Sequence, residues 1–256
     1  MRKSFIPMLA LCGTALWVAG CGGSGSNFSL PAGGAPSSSI QRDAEAGALQ
    51  YQAAPNASAP AASGTPAPIQ IYYGHVIGLD NTFSPVDGDG GSGNTIDGVP
   101  CDNGAIPYHF HAHVSLLING NRLAIPDAIG LHYPGVEGTN GLTFATLCYY
   151  HLHTHDATGL IHIEASVPTT FTLGQLFAVW GQPLSSTNVA GYSGTVKAYT
   201  ATAASPGYLK QTGAYSPYTG DLQALQFASH QEIVLEVGPT FVDPANLPAI
   251  IFPTYQ

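Results

Sequence analysis

The sequence predicts a mainly β domain, either an antiparallel sandwich-like fold or an α+β fold with one short helix near residues 172–180. Three observations predict it. Most apolar segments are short, rich in β-branched or aromatic residues, and bounded by Gly, Pro, Asn or Asp. A single stretch carries helix-start and helix-stop signals. The 31 Gly and 20 Pro among 256 residues are too many for a helical bundle or coiled coil.

The first element is a targeting segment, residues 1–20. Arg2 and Lys3 precede an apolar run from Phe5 to Ala19, too short to span a bilayer comfortably, and small residues lead to Cys21. Val18-Ala19-Gly20-Cys21 resembles the lipobox of bacterial lipoproteins. That resemblance implies removal of the signal, lipidation of Cys21, and a location in the cell envelope. Gly22, where an Asp would favour the inner membrane, implies the outer membrane, facing the periplasm or the cell surface. Two or more acyl chains anchor stably where one does not.

Residues 21–68 follow as a lipidated tether. From Gly22 to Pro68, 33 of 47 residues are Ala, Ser, Gly or Pro. Such a segment lacks the apolar side chains to offset its ordering entropy, and its coil span is roughly 35 to 40 Å.

Residues 69–256 form the one domain, with 3 basic and 13 acidic residues and all ten histidines. Charged residues make up only 8% of the chain, and six scattered Lys and Arg cannot neutralise phosphates, so a nucleic-acid partner is excluded. Cationic ligands are favoured. Strands are expected at Ile69–Ile77, Tyr108–Ile118, Arg122–Ile125, Phe144–His155, Leu160–Ala165, Thr195–Thr200 and Glu232–Val237. Asn119-Gly120 marks a tight hairpin. Thr172-Leu-Gly-Gln175 reads as a capping box ahead of Leu176, Phe177 and Trp180, with Gly181 as the stop. The stretch Asp80–Asp102 holds five aspartates, but lacks both the terminal Glu of a calcium-binding EF-hand loop and the Asp of a calcium-binding glycine-rich repeat. It reads as a solvated acidic loop.

Cys12 leaves with the signal and Cys21 goes to lipid, so Cys101 and Cys148 remain. In an oxidising compartment two cysteines most simply form a disulfide. The rival is a Cys148 thiolate ligating metal together with His151.

Histidine placement carries the chemistry. Alternation along Tyr108–Ile118 puts Phe110, Ala112, Val114, Leu116 and Ile118 on the core face, and displays His109, His111 and His113 on the opposite face rather than in the interior. His151, His153 and His155 alternate in the same way. If residues 156–159 turn, His153 falls opposite His162 and His151 opposite Glu164, with paired Cβ atoms about 4.5 to 5.5 Å apart. Residues two apart on a strand stand roughly 6.5 to 7 Å apart and those four apart about 13 Å, so a complete site must draw on a second strand. The expected ligands are His109, His111, His151, His153 and His162, followed by His113, His155 and Glu164. Imidazole-dominated sites suit Cu²⁺ or Zn²⁺. Both methionines lie in the signal, which argues against thioether copper sites. His75, His132 and His230 read as structural.

Metal capture or handling is thus the expected function. The enzymatic alternative is a zinc-dependent hydratase or hydrolase with Glu164 as proton acceptor. The structural alternative is an interaction domain with a polar histidine face. His109-x-His111 plus a third strand histidine resembles the ligand arrangement of α-type carbonic anhydrases, in that triplet only.

A wider pattern runs through His109-x-His111, Ile118-Asn-Gly120, Leu152-His-Thr-His-Asp-x-x-Gly-x-Ile-His-Ile-Glu164, Thr172-Leu-Gly-Gln-x-Phe177 and Gln231-Glu-Ile-Val-Leu-Glu-Val-Gly238. It resembles a group of uncharacterised secreted or lipid-anchored bacterial and archaeal domains. The resemblance implies the domain limits and supplies no chemistry.

Overall fold

The computed structural model describes residues 66–79, 93–134, 140–203 and 211–254. The expected signal, Cys21 and most of the expected tether lie outside them, as do Asp87 and Asp89 of the expected acidic loop.

The first strands in chain order are β1 (Ile69–Gln70), β2 (Cys101–Asp102), β3 (Tyr108–Ile118), β4 (Asn121–Leu123), β5 (Leu131–Pro134), β6 (Ala145–Tyr150), β7 (Leu152–His153) and β8 (Leu160–Ala165). Helix α1 (Leu173–Trp180) follows, then β9 (Asn188–Val189), β10 (Tyr192–Ser193), β11 (Thr195–Ala201), β12 (Ser216–Tyr218), β13 (Glu232–Gly238) and β14 (Ile250–Ile251). The fold is mainly β with one α-helix among the described residues, as expected. Among these residues, no helix is long and apolar enough to cross a membrane.

The main sheet has the order β12-β11-β13-β3-β8-β7, with β4 also pairing β3. The Asn119-Gly120 turn joins β3 to β4, both residues at positive φ (50° and 79°), which suits a hairpin matched to strand twist. A second sheet, β2-β6-β5, stands beside the first, and the Cys101–Cys148 disulfide links its β2 and β6. Cys148 is therefore not a thiolate ligand.

Helix α1 forms where its caps dictate. The Thr172 hydroxyl accepts from the Gln175 N–H, the Gln175 side chain accepts from the Thr172 N–H at 3.0 Å, and Gly181 closes the helix at φ 69°. Its buried face, Leu173, Leu176, Phe177, Val179 and Trp180, packs into the main core with Ala112, Val114, Leu116, Ile161 and Ile163. The apolar side of β3 is the core side, as alternation requires.

Three expectations need correction. The opposite side of β3 is not a solvent face: His111, His113, Ser115 and Leu117 are buried too. A smaller cluster of Leu117, Tyr199, Val234 and Leu247 covers part of it. The sheet is also mixed, because β13 runs parallel to β3 while the β3–β8, β7–β8 and β11–β13 pairs are antiparallel. Only hairpin-linked neighbours carry a local direction signal, and β13 joins β3 after a long excursion. The expected strand Phe144–His155 is interrupted at His151, whose N–H turns to the Pro100 carbonyl at 3.4 Å.

Candidate metal centre

Strand β8 lies between β3 and β7, and its register aligns a row of imidazoles. His162 pairs with His111 on one side and with His153 on the other. His109 pairs with Glu164, whose N–H bonds the His151 carbonyl at 2.9 Å. The turn that sets this register is held by Asp156. Its carboxylate accepts from the Thr158 N–H at 3.1 Å, the Thr158 hydroxyl at 2.5 Å and the Gly74 N–H at 2.8 Å. Gly159 closes the turn at φ 85°, where a Cβ would stand 2.4 Å from the Val114 carbonyl oxygen.

Four donors meet on the β3 side of His162. His109 Nε2 and His111 Nε2 are 3.0 Å apart, and His111 Nε2 is 2.9 Å from His162 Nδ1. Glu164 Oε1 completes the ring at 3.3 Å from His109 Nε2 and 3.6 Å from His162 Nδ1. Zinc–nitrogen bonds of about 2.0 to 2.1 Å place tetrahedral ligand atoms roughly 3.3 Å apart, within the span of these four edges. On the β7 side, His153 Nε2 and His155 Nε2 are 3.2 Å apart, and Glu164 Oε2 is 3.9 Å from His153 Nε2. Two groups of three, His109/His111/His162 and His153/His155/His162, can each hold a metal ion.

The electrostatics keep the lone pairs available. Burial, reinforced by neighbouring imidazoles, pushes His153 and His162 well below the ordinary imidazole pKa, and burial also lowers His155. A neutral imidazole is the form that ligates metal.

Two expected ligands stand outside these groups. His113 meets Glu232 through Nδ1 and the Thr158 carbonyl through Nε2 at 2.7 Å, so both nitrogens are engaged by oxygen acceptors. Glu232 also accepts from Ser115 Oγ at 2.5 Å, and Ser115 in turn accepts from Arg122. His151 Nε2 lies 3.1 Å from Asp102 Oδ2 and its ring stands edge-on to Phe171. Of the histidines read as structural, His75 is exposed beside Tyr72, His132 is half-buried against Tyr133, and His230 is buried against Phe252.

A cavity of about 420 Å³ borders the centre, with His151, His155 and Glu164 in its wall beside Ile106, Phe144 and Tyr149. Asp102 lines it as well, its carboxylate held below the usual range chiefly by the Gly104 N–H at 2.9 Å. The sequence places Asp102 at the end of an acidic loop. Its neighbour Cys101 was the available signal, because the disulfide to Cys148 places Asp102 opposite Tyr149 in the β2–β6 pair.

Comparison of the chain with protein-family models, curated proteins and solved structures finds no match.

Proposed function

We propose that this chain is a lipid-anchored envelope protein whose β domain captures or handles a transition metal, Zn²⁺ or Cu²⁺. One observation carries the reading: His109 Nε2, His111 Nε2, His162 Nδ1 and Glu164 Oε1 converge with neighbouring separations of 2.9 to 3.6 Å. Imidazole donors with one carboxylate suit borderline divalent ions. The domain's excess of acidic over basic residues favours a cation as ligand. Anchoring rests on the lipobox-like residues ending in Cys21.

Elemental analysis of tag-free protein prepared without added metal tests the metal reading. Zinc or copper at one equivalent or more per chain is expected. Its absence, together with no uptake on titration, overturns the reading. Membrane partition is expected to be lost in Cys21→Ser without change in metal content.

The cavity beside Glu164 and His155 favours a second reading, a zinc-dependent hydratase or hydrolase with Glu164 as proton acceptor. Exchangeable water on the bound ion supports it, whereas a closed four-ligand site supports capture.

A further inference from the structure

The β7 side of the centre has a feature that a single ion bound at His109, His111 and His162 leaves unexplained. His153 Nδ1 lies 2.8 Å from the Tyr150 carbonyl oxygen, and His155 Nδ1 lies 2.6 Å from that of Thr143. A carbonyl can only accept, so each Nδ1 carries a proton, and in the neutral ring each Nε2 presents a bare lone pair. Those lone pairs face each other across 3.2 Å, and His153 is fully buried. Two acceptors at that separation repel. A cation between them converts the repulsion into ligation, with backbone carbonyls orienting the rings as they do around metal-bound imidazoles.

Glu164 connects this pair to the first group. Its Oε1 faces His109 and His162, while its Oε2 is 3.9 Å from His153 Nε2. His162 belongs to both histidine groups. We infer that the domain holds a second divalent transition-metal ion between His153 and His155, bridged to the first by the Glu164 carboxylate. The inference rests on the metal-binding reading above and extends it to a two-metal centre. The second position is the one that meets the cavity, because His155 and Glu164 both line that cavity. With Asp102 as the other lining carboxylate, the cavity favours water or another neutral donor over an anion.

Copper titration of the full chain, prepared metal-free, separates the possibilities. Two equivalents are expected to survive desalting. The Cu²⁺ paramagnetic resonance signal should rise over the first equivalent and fall as the second enters, since ions in bridged two-metal sites lie about 3.5 to 4 Å apart and couple magnetically. His155→Gln should retain one equivalent and the full uncoupled signal. Saturation of the wild type at one equivalent, unchanged in His155→Gln, overturns the second ion and leaves the first in place; a proton then lies between the two nitrogens. Two equivalents with an undiminished signal overturn the carboxylate bridge. No copper uptake overturns the metal-binding reading as well. The wild-type titration decides the count without depending on any variant's folding.

Discussion

His111 and His113 sit two residues apart on the same face of β3, both buried, yet they serve different chemistry. His111 points its Nε2 at two other imidazole nitrogens. His113 is held between Glu232 and the Thr158 carbonyl, within a network that continues through Ser115 to Arg122. The difference arises in the neighbouring strands. At the level of His111 the partner on β8 is His162, whereas at the level of His113 it is Leu160 and the parallel neighbour is Glu232 of β13. Nitrogen facing nitrogen makes a group that could hold a cation. Nitrogen facing oxygen satisfies the ring and leaves no lone pair for one. Alternation assigns a face, and cross-strand register assigns the chemistry.

Substitutions should separate the two regions. His162→Gln removes the imidazole common to both groups and should weaken metal binding by more than the roughly 10- to 100-fold typical of losing an outer hydrogen-bond partner. Metal content after dialysis measures it, and the far-ultraviolet dichroism should remain that of the wild type. Glu232→Ala should do the reverse. It strands His113 and the Ser115–Arg122 pair in a buried setting, at about 3 to 5 kcal/mol in denaturant unfolding, while metal stoichiometry in the folded fraction is retained. Loss of metal from folded Glu232→Ala would show that the regions are not separable.

Acid should destabilise the metal-free domain through the cluster side. The folded pKa values of His153, His155 and His162 lie below the ordinary 6.5. As pH falls through 6.5 the unfolded chain takes up protons that the folded chain refuses, so these residues' contribution drops until their folded values are reached. Unfolding free energy measured between pH 7.5 and pH 5 on metal-free protein should fall, and the fall should shrink in His153→Gln. The smallest effect belongs to His75→Ala. That exposed ring stands 5.5 Å from the Tyr72 ring, and its loss should change stability by less than about 0.5 kcal/mol and metal content not at all.

Much of this arrangement was legible in the sequence. Strands β3 and β8 have their expected limits, and α1 lies within the expected span because both of its caps are sequence-local. The pairing of His153 with His162 followed from a turn over residues 156–159 and is the observed register. The pairing of His111 with His162 was not readable, since β3 and β8 are separated by β4 to β7 and no turn fixes their offset. The burial of the histidine face of β3, the break at His151 and the short strands β5, β12 and β14 arise from packing between distant segments, which composition and periodicity do not encode. Alternation alone sets His113 with His109 and His111, because a strand pattern does not show that Glu232 lies alongside it.

An anomalous difference map recorded at the absorption edge of the bound metal, from crystals of the full chain grown with zinc, tests the histidine centre directly. A peak is expected about 2.0 to 2.2 Å from His111 Nε2 and His162 Nδ1, with His109 and Glu164 completing its surroundings. A map with no peak at this centre, or with zinc bound only elsewhere on the chain, would overturn metal binding there.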